Sequence, residues 1–193
     1  PQGIMVLSSV LKAAGHEVEL AVAAHGDPLA VARGFRPDVA AFSVITGSQR
    51  YYLGLNRRLK AELPGLFSVF GGPHPTFFPE MAREEGVDGL CRGEGEEAFV
   101  ALLDGLAEGG REAVLDLANW SFRQDGQVIG NPVRPYLKDL DALPFPDRAL
   151  VYERDPVTAR SKIKHFLAGR GCPYNCTYCF NHALSELYRG KGR

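Results

Sequence analysis

Pro37-Asp38-Val39-Ala40-Ala41-Phe42-Ser43-Val44 is the stretch on which the fold turns. Asp38 to Val44 is a continuous apolar run rather than an alternating one, the pattern of a parallel strand covered on both faces. Leu66 to Phe70 repeats the pattern, and Val87 to Cys91 reads as a last, shorter strand. Helices are predicted between and after them: Ser48 to Leu63, closed by Pro64, then Glu80 to Glu85, and, beyond the last strand, Glu94 to Glu108, ended by Gly109-Gly110. Upstream, Gly3 to Ala14 carries Ile4, Leu7, Leu11 and Ala14 on one helical face and is capped by Gly15. Glu17 to Ala23 reads as a strand and Pro28 to Arg33 as a short helix. Such alternation predicts a parallel sheet with right-handed crossovers, a Rossmann-like or flavodoxin-like α/β domain over residues 1–112.

From Ala113 the character changes. Leu117 to Phe122 and Val128 to Asn131 flank Asp125-Gly126, a two-residue hairpin signal. Pro132, Pro135, Pro144 and Pro146 exclude a long helix or a central strand, so residues 113–160 read as a hairpin followed by a connecting arm. Lys164 to Ala168 then reads as a short strand, opening a third region over residues 161–193.

Composition is that of a globular protein, with 45% hydrophobic and 23% charged residues. A net charge of -1 with scattered Lys and Arg gives no electrostatic basis for nucleic acid binding. There is no apolar run near eighteen residues, hence no expected transmembrane segment. Clustered reduced thiols point to the cytoplasm. The chain opens on Pro1 directly before a helix, so a preceding strand and an open sheet edge are expected. It stops about one helix beyond its cysteine cluster, which reads as a truncation.

In an open parallel sheet, ligands collect at the C-terminal ends of the strands. Three loops fall there: Ile45-Thr46-Gly47-Ser48, Gly71-Gly72-Pro73-His74-Pro75-Thr76 and Arg92-Gly93-Glu94-Gly95-Glu96. Paired glycines after a buried strand admit a ligand or another backbone, although each loop taken alone reads more simply as a tight turn. Gly93-Glu94-Gly95-Glu96-Glu97-Ala98 formally matches G-x-G-x-x-A. It follows a late strand, however, and its three carboxylates would repel a pyrophosphate; they read better as favourable charges on a helix N-terminus.

Near the C-terminal end, Cys172-Pro173-Tyr174-Asn175-Cys176-Thr177-Tyr178-Cys179 places three of the four cysteines at C-x3-C-x2-C spacing. Three readings are open. His182 could complete a Cys3His zinc site, the thiols could be an unligated loop, or they could hold an iron-sulfur cluster. The octet resembles the signature of the radical SAM superfamily, C-x3-C-x-aromatic-C after the first strand of a β/α barrel, with Tyr178 in the aromatic position. That resemblance implies a 4Fe-4S cluster on Cys172, Cys176 and Cys179, with Tyr178 beside S-adenosylmethionine, which the reduced cluster cleaves. It also implies an electron donor such as flavodoxin or ferredoxin and a small-molecule substrate.

The first region resembles the N-terminal cobalamin-binding domain of many radical SAM enzymes. The matching stretches are Pro1 to Val22, Pro37 to Ser43, Gly71 to Thr76 and Gly93 to Glu96, with Asp139-Leu140-Asp141-Ala142-Leu143-Pro144-Phe145-Pro146 resembling the connecting arm. Gly-Gly-x-His-Pro-Thr resembles especially the anaerobic magnesium-protoporphyrin monomethyl ester oxidative cyclase group. The resemblance implies cobalamin contacts at Thr46, Gly71, Gly72, His74, Thr76, Gly93, Glu94 and Gly95, and radical methyl transfer or oxidative cyclisation as the reaction. No D-x-H-x-x-G motif occurs, so the lower cobalt ligand is unassigned. His74 is the candidate for corrin contact or equally a turn histidine, and His16 and His25 receive no role. The reading from a different class is a cobalamin-binding or zinc-stabilised interaction module without radical chemistry.

Overall fold

The computed structural model describes residues 2–124, 126–174 and 176–191. Its centre is a five-stranded sheet in the order β1-β2-β3-β4-β5, formed by Val39–Ser43, Phe67–Gly71, Gly89–Cys91, Trp120–Gln124 and Gln127–Gly130. The first three strands are parallel, in register Val39 to Phe67 and Val69 to Gly89; the last two are antiparallel. Helices α1 (Gln2–Ala13), α2 (Pro28–Phe35), α3 (Gln49–Glu62), α4 (Pro73–Phe77) and α5 (Glu96–Gly109) surround the parallel part. The arm and the C-terminal region carry α6 (Arg148–Arg154), α7 (Pro156–Arg160) and α8 (Asn181–Leu187).

Strand alternation explains the layers. Phe42, Phe70 and Leu90 point to one face, where they meet Leu29 and Ala32 of α2 and Leu53, Leu55 and Leu59 of α3. Val69 and Cys91 point to the other, against Ala98 and Leu102 of α5, with α1 packed beside α5. The result is a three-layer α/β fold, as the apolar runs predict.

The hairpin does not stand apart from this domain. β4 pairs with β3 through Gly89–Phe122 and Cys91–Trp120, so the hairpin continues the same sheet. Fully buried Trp120 drives this: it donates its indole N–H to the Ala98 carbonyl of α5 at 2.9 Å. Of the Asp125-Gly126 signal that predicts the hairpin, Asp125 lies outside the described residues.

Two predicted strands are absent. Glu17 to Ala23 and Lys164 to Ala168 run as irregular chain, because neither has a strand to pair with and isolated β-structure has no ladder to hold it. The helix expected over Glu80 to Glu85 is a 3-10 turn at Pro79–Arg83. Among the described residues β1 pairs only with β2, leaving the expected open edge, where Ala41 and Ser43 are exposed.

Asp147 ties the arm to α1. Its carboxylate accepts from Ser8 Oγ and Lys12 Nζ, both at 2.7 Å, and caps α6 through the Leu150 N–H at 3.1 Å. Burial opposes its charge, but the Lys12 and Ser8 bonds outweigh it and hold the pKa below the usual value. A lowered folded pKa makes this contribution complete above about pH 4 and lost as the pH falls through the folded value. Asp147→Ala is expected to cost about 1–3 kcal/mol in urea unfolding at pH 7, and to cost little at a pH below the folded value.

Candidate functional site

The loops after β1, β2 and β3 converge at one edge of the sheet and are stitched together. The Gly71 carbonyl accepts from Val44 N at 2.8 Å, and the Val44 carbonyl accepts from His74 N at 3.0 Å. Thr76 Oγ1 donates to the Gly72 carbonyl at 2.9 Å and accepts from Gly93 N at 3.1 Å. Gly72 has φ +98°, and a Cβ there would lie 3.0 Å from both N and O of Val44, so this glycine is required by the neighbouring strand end. Gly71 differs: a Cβ would meet only the Cys91 Cβ, at an ordinary 3.7 Å.

A cavity of about 1280 Å³ opens at this edge, between α1, the ends of β1 to β3, the arm and residues 166–170. Gly71, Gly72, Gly93, Glu94 and Gly95 line it, with apolar walls from Leu7, Leu11, Val69 and Phe99. Its size exceeds the roughly 300–1,000 Å³ of ordinary small-molecule clefts, and Gly71 presents open backbone to it, a setting that fits a large, flat ligand. Thr46, His74 and Thr76 are not among its lining residues. His74 is buried, stacked on Phe78 at 4.7 Å, and shares a 3.1 Å hydrogen bond from Nδ1 with Thr46 Oγ1.

The third loop has unexpected partners. Arg170 donates to Glu94 Oε1 at 3.0 Å and to Glu96 Oε1 at 2.5 Å. Glu94 Oε2 also accepts from Leu137 N at 2.8 Å, while Glu97 faces Arg134 at 3.4 Å. The three acidic residues thus hold later segments of the chain, a role beyond the helix N-terminal charges expected of them. Asn119, in left-handed conformation at φ +74°, braces the same loop through the carbonyls of Arg92 at 2.7 Å and Glu94 at 3.2 Å. Sequence reasoning passed over Arg170, Asn119, Arg134 and Tyr188. The signal available was an acidic loop headed for a buried position, which requires a cation from elsewhere.

Cys172, Cys176 and Cys179 are free thiols, the first and last half-buried and the middle one exposed. Cys179 N donates to the Cys176 carbonyl at 3.0 Å, closing a tight turn in which Tyr178 is 91% exposed. Asn175 lies outside the described residues. Three accessible thiols have the donor chemistry an iron-sulfur cluster takes. No three His, Cys, Asp or Glu side chains among the described residues are gathered closely enough to hold a metal ion. Cys91 is different in kind: burial, then the charge of Glu96, pushes its thiol up to about 12, so it stays protonated. His182 Nδ1 is buried with no hydrogen-bond partner among the described residues. No helix among the described residues is long and apolar enough to cross a membrane.

Comparison with known proteins agrees with this architecture. The B12 binding domain family matches residues 1–103. An uncharacterized methyltransferase of Pyrococcus horikoshii is 30% identical, over 99% of this chain and 42% of that protein. The anaerobic magnesium-protoporphyrin IX monomethyl ester cyclase of Rubrivivax gelatinosus is 29% identical, over 98% of this chain and 36% of its own length. The hopanoid C-3 methylase of Methylococcus capsulatus is 26% identical, over 93% and 35%. The chain therefore spans 35–42% of the length of these relatives. With parallel strands, glycine loops and a large cavity at their C-terminal edge, it belongs to the B12-binding domain family.

Proposed function

We propose that this chain forms the cobalamin-binding part, and the entry to the catalytic part, of a radical SAM enzyme acting on a small-molecule substrate. The observation that carries the reading is the cavity. One wall is Gly71-Gly72 and Gly93 to Gly95, and another is Phe166 to Arg170, the segment leading directly into the three-cysteine loop. A cofactor held at the sheet edge would therefore lie beside whatever Cys172, Cys176 and Cys179 bind.

In that reading Cys172, Cys176 and Cys179 would hold a 4Fe-4S cluster and Tyr178 would lie beside S-adenosylmethionine; the cluster would supply reducing power toward S-adenosylmethionine, and cobalamin a methyl carrier or redox centre. The protein's own residues do the placing. Gly71 clears room for the macrocycle, the apolar walls exclude water, and buried His74, hydrogen-bonded to Thr46, shapes the loop behind it. Methyltransferase and cyclase relatives support methyl transfer or oxidative ring formation as the reaction. A flavodoxin or ferredoxin is the proposed electron donor.

Equilibrium dialysis of the full-length protein with hydroxocobalamin, followed by anaerobic reconstitution and metal analysis, tests the reading. The expected result is one cobalamin per chain together with iron and acid-labile sulfide, and 5'-deoxyadenosine release from S-adenosylmethionine on reduction. The zinc reading draws on the orphaned His182 Nδ1. Zinc without sulfide would replace the radical SAM assignment with a Cys3His module.

A further inference from the structure

The chain that carries the three cysteines leaves and returns to one short loop. Arg170, two residues before Cys172, pairs with Glu94 and Glu96 at 3.0 and 2.5 Å. Tyr188, nine residues after Cys179, accepts the Glu94 N–H on its phenolic oxygen at 2.7 Å. A third contact lies between them, where Phe180 packs on Phe77 of α4 with ring centroids 5.6 Å apart.

The loop is moulded to receive these groups. Gly93 has φ +79°, and a Cβ on it would sit 2.0 Å from the Tyr188 hydroxyl, so any side chain there would expel the tyrosine. Tyr188 is buried and stacked on Tyr136 at 3.7 Å and 11°. Glu96 is also buried, and its carboxylate in that position calls for a cation. Burial works against the Arg170 charge, but hydrogen bonds and charge from Glu96 and then Glu94 outweigh it, keeping the guanidinium fully ionised. Only a planar fork reaches two separate carboxylates in this way.

We propose that Gly93–Glu96 is a docking cradle that fixes the three-cysteine loop against the sheet edge, with Arg170 as its positioning residue. The cradle holds both flanks of the loop, so it sets the distance and angle between a group on the cysteines and a group in the cavity. Its bearing on catalysis rests on the radical SAM reading; the docking itself does not.

The test uses full-length protein and the variants Arg170→Met, Arg170→Lys, Glu96→Gln and the Arg170→Met/Glu96→Gln pair. In cofactor-free protein, Arg170→Met is expected to speed hydrogen exchange at the Glu94 amide at least tenfold, with the β1–β2 amides unchanged. Arg170→Lys is expected to recover part of that protection, and the paired variant to exchange no faster than Arg170→Met alone. Unchanged exchange at Glu94 in Arg170→Met overturns the cradle.

The positioning claim is read by paramagnetic resonance on protein loaded with cob(II)alamin and reduced cluster. Wild type is expected to give one defined magnetic coupling between the two centres. Arg170→Met, compared with wild type at equal occupancy of both centres, is expected to give a weakened or distributed coupling. Identical coupling reduces the cradle to a merely structural contact and overturns the positioning role. Wild-type protein that takes up no iron and sulfide refutes the radical SAM reading and its positioning consequence, whereas the exchange result then still decides the docking.

Discussion

Full-length Cys176→Ala protein, reconstituted anaerobically, is expected to retain almost no iron or acid-labile sulfide, while Cys91→Ala retains the wild-type content. The two thiols sit in opposite settings. Cys176 is a free thiol, exposed on its loop and accessible to a metal or cluster. Cys91 is buried beneath α5, where burial and then the nearby Glu96 charge push its thiol up to about 12. Cys172→Ala and Cys179→Ala are expected to behave as Cys176→Ala. Loss of iron in Cys91→Ala at unchanged folding would overturn the ligand assignment.

A second large effect separates two adjacent glycines. Gly71→Leu is expected to weaken hydroxocobalamin binding at least tenfold, about 1.4 kcal/mol, with the fold intact. Its new side chain enters the cavity past Cys91, where the nearest atom is 3.7 Å from the Cβ. Gly72→Val is expected to act on stability instead, at about 3 kcal/mol, because it combines a left-handed φ of +98° with a 3.0 Å approach to the Val44 backbone. Denaturant unfolding and equilibrium dialysis on both variants check the distinction. A Gly71→Leu protein that folds and retains full affinity would move the corrin away from this edge.

The parallel core was legible because its residues report burial directly. Val39–Ser43, Phe67–Gly71 and Gly89–Cys91 lie within two residues of the apolar runs that predict them, and the loops that follow meet at one edge. What escaped depends on partners remote in sequence. Glu17 to Ala23 has strand-like composition, but composition cannot supply a neighbouring strand. Gly71 to Thr76 read as a loop, yet proline is tolerated in the first turn of a helix, where its missing N–H costs nothing, and α4 begins at Pro73. His74 was legible as a loop histidine, but its direction toward Thr46 was not. The pairing of Glu94 and Glu96 with Arg170 spans more than seventy residues, beyond any local pattern.

The strict β1-β2-β3-β4-β5 order gives this chain a direction of assembly. Each strand lies beside the one made just before it, so during synthesis every new strand finds a finished neighbour and waits for nothing downstream. The carboxylates of Glu94 and Glu96 and the pocket for Tyr188 belong to the loop after β3 and are complete before Arg170 is made. The cysteine-bearing segment therefore emerges onto a surface whose parts precede it in the chain.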